Sequence, residues 1–573
     1  MMRADEPFQT ALARRIWESR YRWDGAPGGG ERDIHATWQR VAAALSSVEP
    51  RDREGWTMRF RALLEDFRFL PGGRVLAGAG TTLPVTLFNC FVGARPDGSR
   101  ATLLDCLDEL SRITLAGGGM GTDFSRVPPA AAATGAPGDL RGGPVPLLGL
   151  WDALCAALSA GRIRHGALMA TLHGDHPDLA AFIAAKPKPG DLRRFTLSVL
   201  AGDAFLEAAR HRQARVSAGD AARTSADAAW RAIVQHNLER SEPGLLFIDS
   251  IRRANPLAYA EDIATVNPCG EVPLPVHGAC DLGSFNLTRF VRDPFTPRAR
   301  FDLAGLLACV PDAVRLLDNV YELSAFPTPR HAEVAHASRR IGLGITGLAD
   351  ALILLGLRYD SPEARDFAGG LMREVCVAAY RASAALAREK GAFPMFSGER
   401  PVRGEFVRRL PADLRAEIAG HGLRNSHLLA IAPTGSISLL ANGVSSGLEP
   451  LAGLHVQRRV RLVPETVESL PLENFALARF RERFGGRAPL PSAFVEAAQV
   501  PPEDQILMQA ALQRYVDNAI AKTVTLPPDC SADRLDRLFR RAHALGLKGC
   551  SVYRPGSLGQ AVLTPAARSA ADP

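Results

Sequence analysis

Short apolar runs alternate with longer segments of helical period along most of this chain, and no other feature restricts its fold as much. The runs "VTLFNCFV" (85–92), "FTLSVL" (195–200) and "LLAIA" (428–432) read as buried strands. By contrast, "LLGLWDALCAALSA" (147–160) and "AALQRYVDNAIA" (510–521) repeat apolar residues every three or four positions, as helices do. Strands separated by helices imply an α/β core. The first 70 or so residues break the pattern. There, "FQTALARRIWESRYRW", "HATWQRVAAALSSV" and "WTMRFRALLEDFRFL" are all helical in period, the last stopped by Pro71, Gly72 and Gly73. They predict a helical cap ahead of the sheet.

A length of 573 residues with 46% apolar and 23% charged residues suits one large compact core and excludes a mostly disordered chain. The formal charge of +7 fits an anionic ligand such as a nucleotide and equally a solvated basic surface, as in "VRGEFVRRL" and "HVQRRVRL". "LAGGGMGTDF" (115–124) and "PPAAAATGAPGDLRGGPVP" (128–146) are predicted loops. The opening "MMRADEPFQTALARRIW" is charged throughout, unlike a secretory signal, and no stretch of about 18 uncharged apolar residues suggests a membrane span. A cytoplasmic location is expected. Nine cysteines at irregular spacing then imply free thiols and no disulfide framework.

The chemistry concentrates in "NPCGEVPLPVHGACDLGSFNL" (267–287), where the spacing of Cys269 and Cys280 matches neither a CxxC metal pair nor a redox dithiol. In an extended loop Asn267, Cys269 and Glu271 point roughly the same way. A carboxylate beside a thiol can act as general base toward a hydroxyl that an amide holds. The stretch also fits a buried structural cysteine in a Pro-Gly turn. In "LLAIAPTGSISLLANG" (428–443), the amides from Thr434 to Ile437 and the hydroxyls of Thr434 and Ser436 would cradle a phosphate at a helix start. An ordinary helix cap at Thr434 or Ser436 fits equally. Cys90 reads as a small core residue on a strand, and "GGGMG" (117–121) lacks GxGxxG spacing and reads as a flexible loop.

Taken in order, "FLPGGRVLAGAG", "LFNCFV", "GGGMGTDFS", "EPGLLFIDSIRRANPLAYAEDIATVNPCGE", "GACDLGSFNL", "RRIGLGITGLADALILLGLRYDS", "APTGSISLLANGVSSGLEP" and "KGCSVYRPGS" resemble the adenosylcobalamin-dependent, class II ribonucleotide reductases from about residue 10 to 560. The resemblance implies a ten-stranded α/β barrel over 76–555, a helical region over 1–75, a flexible tail over 556–573, and a finger loop inside the barrel. It assigns Cys269 as a transient thiyl radical, Glu271 as base on the ribose 3′ hydroxyl, and Asn267 as its hydrogen-bonding neighbour. Cys90 and Cys280 would reduce the substrate and end as a disulfide. Asn89, Pro433, Thr434, Gly435, Ser436 and Ile437 would bind substrate. No metal is expected other than the cobalt of adenosylcobalamin.

An oxygen-dependent relative would carry an adjacent tyrosine pair near its C-terminus, where this sequence has Tyr553 alone, and no glycyl-radical motif is present. No cysteine follows Cys550, so an external dithiol or thioredoxin-like protein is the expected reductant. "GRIRHGA" (161–167) matches a loop that senses a deoxynucleotide effector, with Arg162, Arg164 and, in place of the usual second arginine, His165. A homodimer is expected, with no nucleic-acid or membrane partner. Two other readings stay open: a catalytic subunit dependent on a separate radical-generating or reductant partner, and a nucleotide-binding paralogue that does not catalyse.

Overall fold

The computed structural model describes residues 7–26, 29–131, 142–162, 166–188, 190–210, 226–464, 466–557 and 563–565. Helices α1 (Ala11–Arg20), α2 (Ile34–Ser46) and α3 (Arg53–Leu64) form the N-terminal cap. Each opens on a side chain that accepts a backbone N–H of the first turn: Thr10, Asp33 and Asp52. Their apolar faces bury Trp17, Tyr21 and Trp38, and the Trp17 indole N–H donates to Thr37 Oγ1 at 2.8 Å.

The cap is bolted to the rest of the chain by one buried charge cluster. Glu49 accepts from Arg315 at 2.8 and 3.0 Å, from Asn319 at 2.7 Å and from Lys390 at 3.0 Å. Burial pushes the Glu49 carboxyl up, but the donors from Arg315, Asn319 and Lys390 outweigh it and hold the group at about 2.

Ten strands make one mixed sheet: β1 (Phe69–Pro71), β2 (Cys90–Val92), β3 (Gly119–Asp123), β4 (Leu168–His173), β5 (Phe195–Leu200), β6 (Gly244–Leu246), β7 (Ala279–Asn286), β8 (Ile341–Thr346), β9 (Thr523–Thr525) and β10 (Gly549–Tyr553). The order is β1-β7-β2-β3-β4-β5-β6-β10-β9, with β8 paired to β7. From β2 to β6 every pair is parallel, as helical crossovers require, and β7 runs antiparallel to β2 and β1. Isolated parallel bridges join Leu343 to Leu429 and Ile431 to Ile520, so "LLAIA" links β8 to the segment leading into β9.

Three expectations change. Residues 119–123 of "LAGGGMGTDF" are strand β3 and not loop. Glycine is needed there for close approach, because a Cβ on Gly121 would collide with the carbonyl oxygen of Val266. The helix read across 510–521 stops at Gln513, and residues 514–519 are turn and irregular chain leading to the bridge at Ile520. Within the expected flexible tail, Leu563–Pro565 pair antiparallel with 456–458. No helix among the described residues is long and apolar enough to cross a membrane.

Candidate active site

The segment 265–274 folds back on itself. Thr265–Val266 pair antiparallel with Pro273–Leu274, and Gly270 makes the tip with a φ of +84°, a conformation that costs glycine nothing. Asn267 closes the neck: its amide donates to the Val272 carbonyl at 3.1 Å and its Oδ1 accepts from the Val272 amide at 3.0 Å. The loop is fixed from outside by the Thr171 hydroxyl donating to Thr265 Oγ1 and by the Ala519 amide donating to the Glu271 carbonyl.

This geometry sorts the expected triad. Asn267 and Glu271 turn toward β2, where Asn267 Nδ2 donates to Cys90 Sγ at 3.0 Å and the Cys90 thiol donates to Glu271 Oε1 at 3.9 Å. Cys90 stands opposite Cys280 in the β2–β7 register, and both are free thiols. Cys269 alone faces outward, exposed at the tip.

Electrostatics divides the labour. Burial, followed by the nearby Glu271 charge, pushes the Cys90 thiol far up; Cys269 reaches solvent only within a cleft walled by protein, and that enclosure, then Glu271, raises its thiol too. Burial and then Asp281 do the same to Cys280. All three sulfurs are therefore protonated at neutral pH and suited to giving up hydrogen; none is held as a thiolate nucleophile. Glu271 is pushed up to about 7 by burial, against weaker pulls from its own backbone amide, Asn267 and Cys90. Its Oε2 has no hydrogen-bond partner among the described residues. A carboxylate poised near neutrality with one free oxygen is what a general base requires.

Cys269 opens onto a cleft of about 810 Å³ that Pro268, Gly270, Pro433, Lys522 and Tyr553 also line. Of the 433–437 turn only Pro433 reaches the cleft. The Thr434 hydroxyl is committed to the scaffold, 2.9 Å from Thr346 Oγ1 and accepting from the Gly447 amide at 2.9 Å, so it is not free for a phosphate. Gly435, Ser436 and Ile437 open the helix Gly435–Leu440 and keep amides without intrahelical partners. Asn89 sits beside Gly72, where a Cβ would lie 2.9 Å from Asn89 Nδ2.

Two arginines that the sequence showed only as charge also meet this turn. Arg20 Nη1 donates to Ser436 Oγ at 2.6 Å, and Arg458 Nη2 lies 3.5 Å from where a Gly435 Cβ would be. Arg458 is pulled below its ordinary range by burial and then by Arg20, a crowding of positive charge that an anion relieves. Arg162 donates to the Leu115 carbonyl at 2.9 Å and shares a separate cavity of about 220 Å³ with Arg20 and Arg74. Arg164 and His165 lie outside the described residues.

No histidine lines the main cleft among the described residues. Of its carboxylates, Glu242 and Glu449 are paired with Lys186 and Lys522 at 2.6 Å each, and Asp191 accepts the Lys188 amide at 2.8 Å. Such a lining suits a large ligand that brings its own metal ligands and phosphates better than a bare ion.

A family model described as "Ribonucleotide reductase, barrel domain" matches residues 88–219 and 210–553, and one described as "Ribonucleotide reductase, all-alpha domain" matches 7–84. The chain is 38% identical to a vitamin B12-dependent ribonucleoside-diphosphate reductase of Mycobacterium tuberculosis, over 92% of this chain and 76% of that protein. It is 32% identical to a protein of the same name from Thermoplasma acidophilum, over 88% of this chain and 66% of that protein. A ribonucleoside-diphosphate reductase subunit alpha of Chlamydia pneumoniae is 24% identical over 89% of this chain and 56% of that protein.

Proposed function

The chain belongs to the ribonucleotide reductase family, and from that membership we propose that it reduces ribonucleoside diphosphates to 2′-deoxyribonucleotides with adenosylcobalamin. The observation that carries the reading is the convergence of Asn267 and Glu271 on Cys90, itself opposite Cys280, behind a cysteine that faces a ligand-sized cleft.

In this reading Pro268, Gly270 and Tyr553, with Cys269, would be among the residues that hold the cofactor in the cleft. Bound adenosylcobalamin supplies the homolytic chemistry that no side chain supplies alone. Cys269 Sγ exchanges a hydrogen atom with the ribose. Glu271 Oε2 takes the proton of the ribose 3′ hydroxyl, and Asn267 holds Cys90 against the same face. Arg20 and Arg458 draw the substrate phosphates onto the amides of Gly435, Ser436 and Ile437. Cys90 and Cys280 give up their thiol hydrogens and join, and the ribose 2′ oxygen leaves as water. One ribonucleotide and two thiols thus become one deoxyribonucleotide, one disulfide and one water. Arg74 and Arg162, in the separate cavity, would meet an anionic deoxynucleotide effector.

The test is an anaerobic incubation of the purified chain with a ribonucleoside diphosphate and dithiothreitol, with and without adenosylcobalamin. Deoxynucleotide formed only with the cofactor supports the proposal. Product that requires a separate metal-containing subunit, or nucleotide that binds without reacting, overturns it.

A further inference from the structure

Glu109 is buried at 5% exposure, yet among the described residues the basic side chains beside it are two histidine rings and no lysine or arginine. We propose that Glu109, His277 and His331 bind one divalent transition-metal ion of the zinc class, at a site separate from the catalytic cleft. The residues come from helix α4 (Arg100–Ala116), the turn before β7, and helix α5 (Pro329–Ser338). One donor atom from each lies within 4.8 Å of the others.

The spacing approaches that of a coordination shell. Zinc bonds of about 2.0–2.1 Å in a tetrahedron set neighbouring ligand atoms roughly 3.3–3.4 Å apart. Glu109 Oε1 is already 3.6 Å from His331 Nδ1, and its 2.7 Å hydrogen bond from His277 Nδ1 would open by about 0.6 Å as the ion replaces the proton.

The outer atoms of two ligands are held as metal ligands usually are. His331 Nε2 lies 3.2 Å from the Val92 carbonyl oxygen, which can only accept, so that nitrogen carries the proton and Nδ1 keeps its lone pair. The lone pair now faces Thr328 Oγ1 at 2.8 Å, an oxygen that also caps helix α5 by accepting the His331 amide at 3.3 Å, so an ion at Nδ1 would displace that contact or take the oxygen as a further ligand. Glu109 Oε2 accepts the Ala94 amide at 2.6 Å and leaves Oε1 for the ion. His277 is 16% exposed, giving the ion an entry and a water the fourth position. A dication would add to the compensation that His277 and the Ala94 amide already give the buried carboxylate.

The site would have a structural consequence. His277 precedes Cys280 by three residues, and the Val92 amide donates to the Gly278 carbonyl at 3.0 Å. An ion here would clamp the end of the strand pair that holds Cys90 opposite Cys280.

The experiment strips the full chain with a chelator, then titrates it with zinc(II) and with cobalt(II), in the absence of cobalamin. Zinc is counted by native mass spectrometry and cobalt is followed by its ligand-field absorption. The proposal expects one equivalent bound, a melting temperature that rises with zinc, and at least tenfold weaker binding in both His277→Ala and Glu109→Gln. His277 lies on a partly exposed turn, so His277→Ala keeps the test open if Glu109→Gln misfolds. Absence of binding by the wild type, or equal binding by a folded His277→Ala, overturns the proposal and leaves a hydrogen-bonded cluster only.

Discussion

Cys90 stands directly opposite Cys280 across the antiparallel strands β2 and β7. Directly opposed residues place their Cβ atoms about 4.5–5.5 Å apart, against roughly 3.8 Å in a disulfide. A small closing movement therefore suffices to link them. Mild oxidation should produce a single intramolecular disulfide, located by peptide mass mapping as Cys90–Cys280. Cys90→Ser and Cys280→Ser should each prevent it and remove deoxynucleotide formation. A different pairing would contradict the assigned roles.

Glu271, held at about 7, acts as a base only when ionised, so kcat/KM should rise with pH through about 7. Glu271→Gln should lower kcat by roughly 10²–10⁴ and flatten that limb of the profile. Its melting temperature should change little or rise, because a buried charge is removed from a position where one oxygen has no partner.

Glu49 makes the opposite kind of contribution. Its carboxyl is held at about 2, below its unfolded value, so it stabilises the fold above the unfolded pKa and that stability is lost as pH falls toward 2. Glu49→Ala would leave Lys390 without its buried counter-charge and Arg315 with only the half-exposed Glu389, and should cost about 3 kcal/mol. Denaturant unfolding at pH 7 and pH 4 measures it, and the cost should shrink at the lower pH.

Asp281 is buried at 1% exposure, and among the described residues neither carboxylate oxygen meets a donor from another residue. Burial raises its pKa well above the ordinary value, opposed by its own backbone amide and Arg339 and aided by the charge of Asp318. A carboxyl raised in the folded state binds its proton more tightly there than in the unfolded chain. Its contribution to stability is therefore lost as pH rises above the unfolded pKa, by up to about 1.4 kcal/mol per pH unit. Asp281→Asn should remove that slope and raise stability at pH 8. Identical pH dependence of wild type and variant would contradict this picture.

The legible parts of this protein were those whose partners are near in sequence or whose periods are long. The helical cap followed from the spacing around Trp17, Trp38 and Phe60, whereas the finger loop came only from the family resemblance carried by motifs such as Asn267 to Glu271. What the sequence concealed is long-range. Arg20 meets Ser436 across 416 residues, and no local pattern marks either as a partner of the other. Glu109, His277 and His331 carry no metal spacing because three separate elements bring them together. Gly121 read as loop because glycine usually signals freedom; here it signals the close passage of the Val266 carbonyl. Thr434 looked like a phosphate ligand, but its hydroxyl is consumed by Thr346 and Gly447.

The central claim is that Cys269, exposed at the loop tip above Cys90 and Glu271, is the atom through which the reaction starts. The most direct measurement compares wild type with Cys269→Ala in the anaerobic, adenosylcobalamin-supplied assay, with nucleotide affinity measured on both. The account predicts unchanged nucleotide binding and no detectable deoxynucleotide from the variant. Deoxynucleotide from Cys269→Ala at a rate near that of wild type would contradict it.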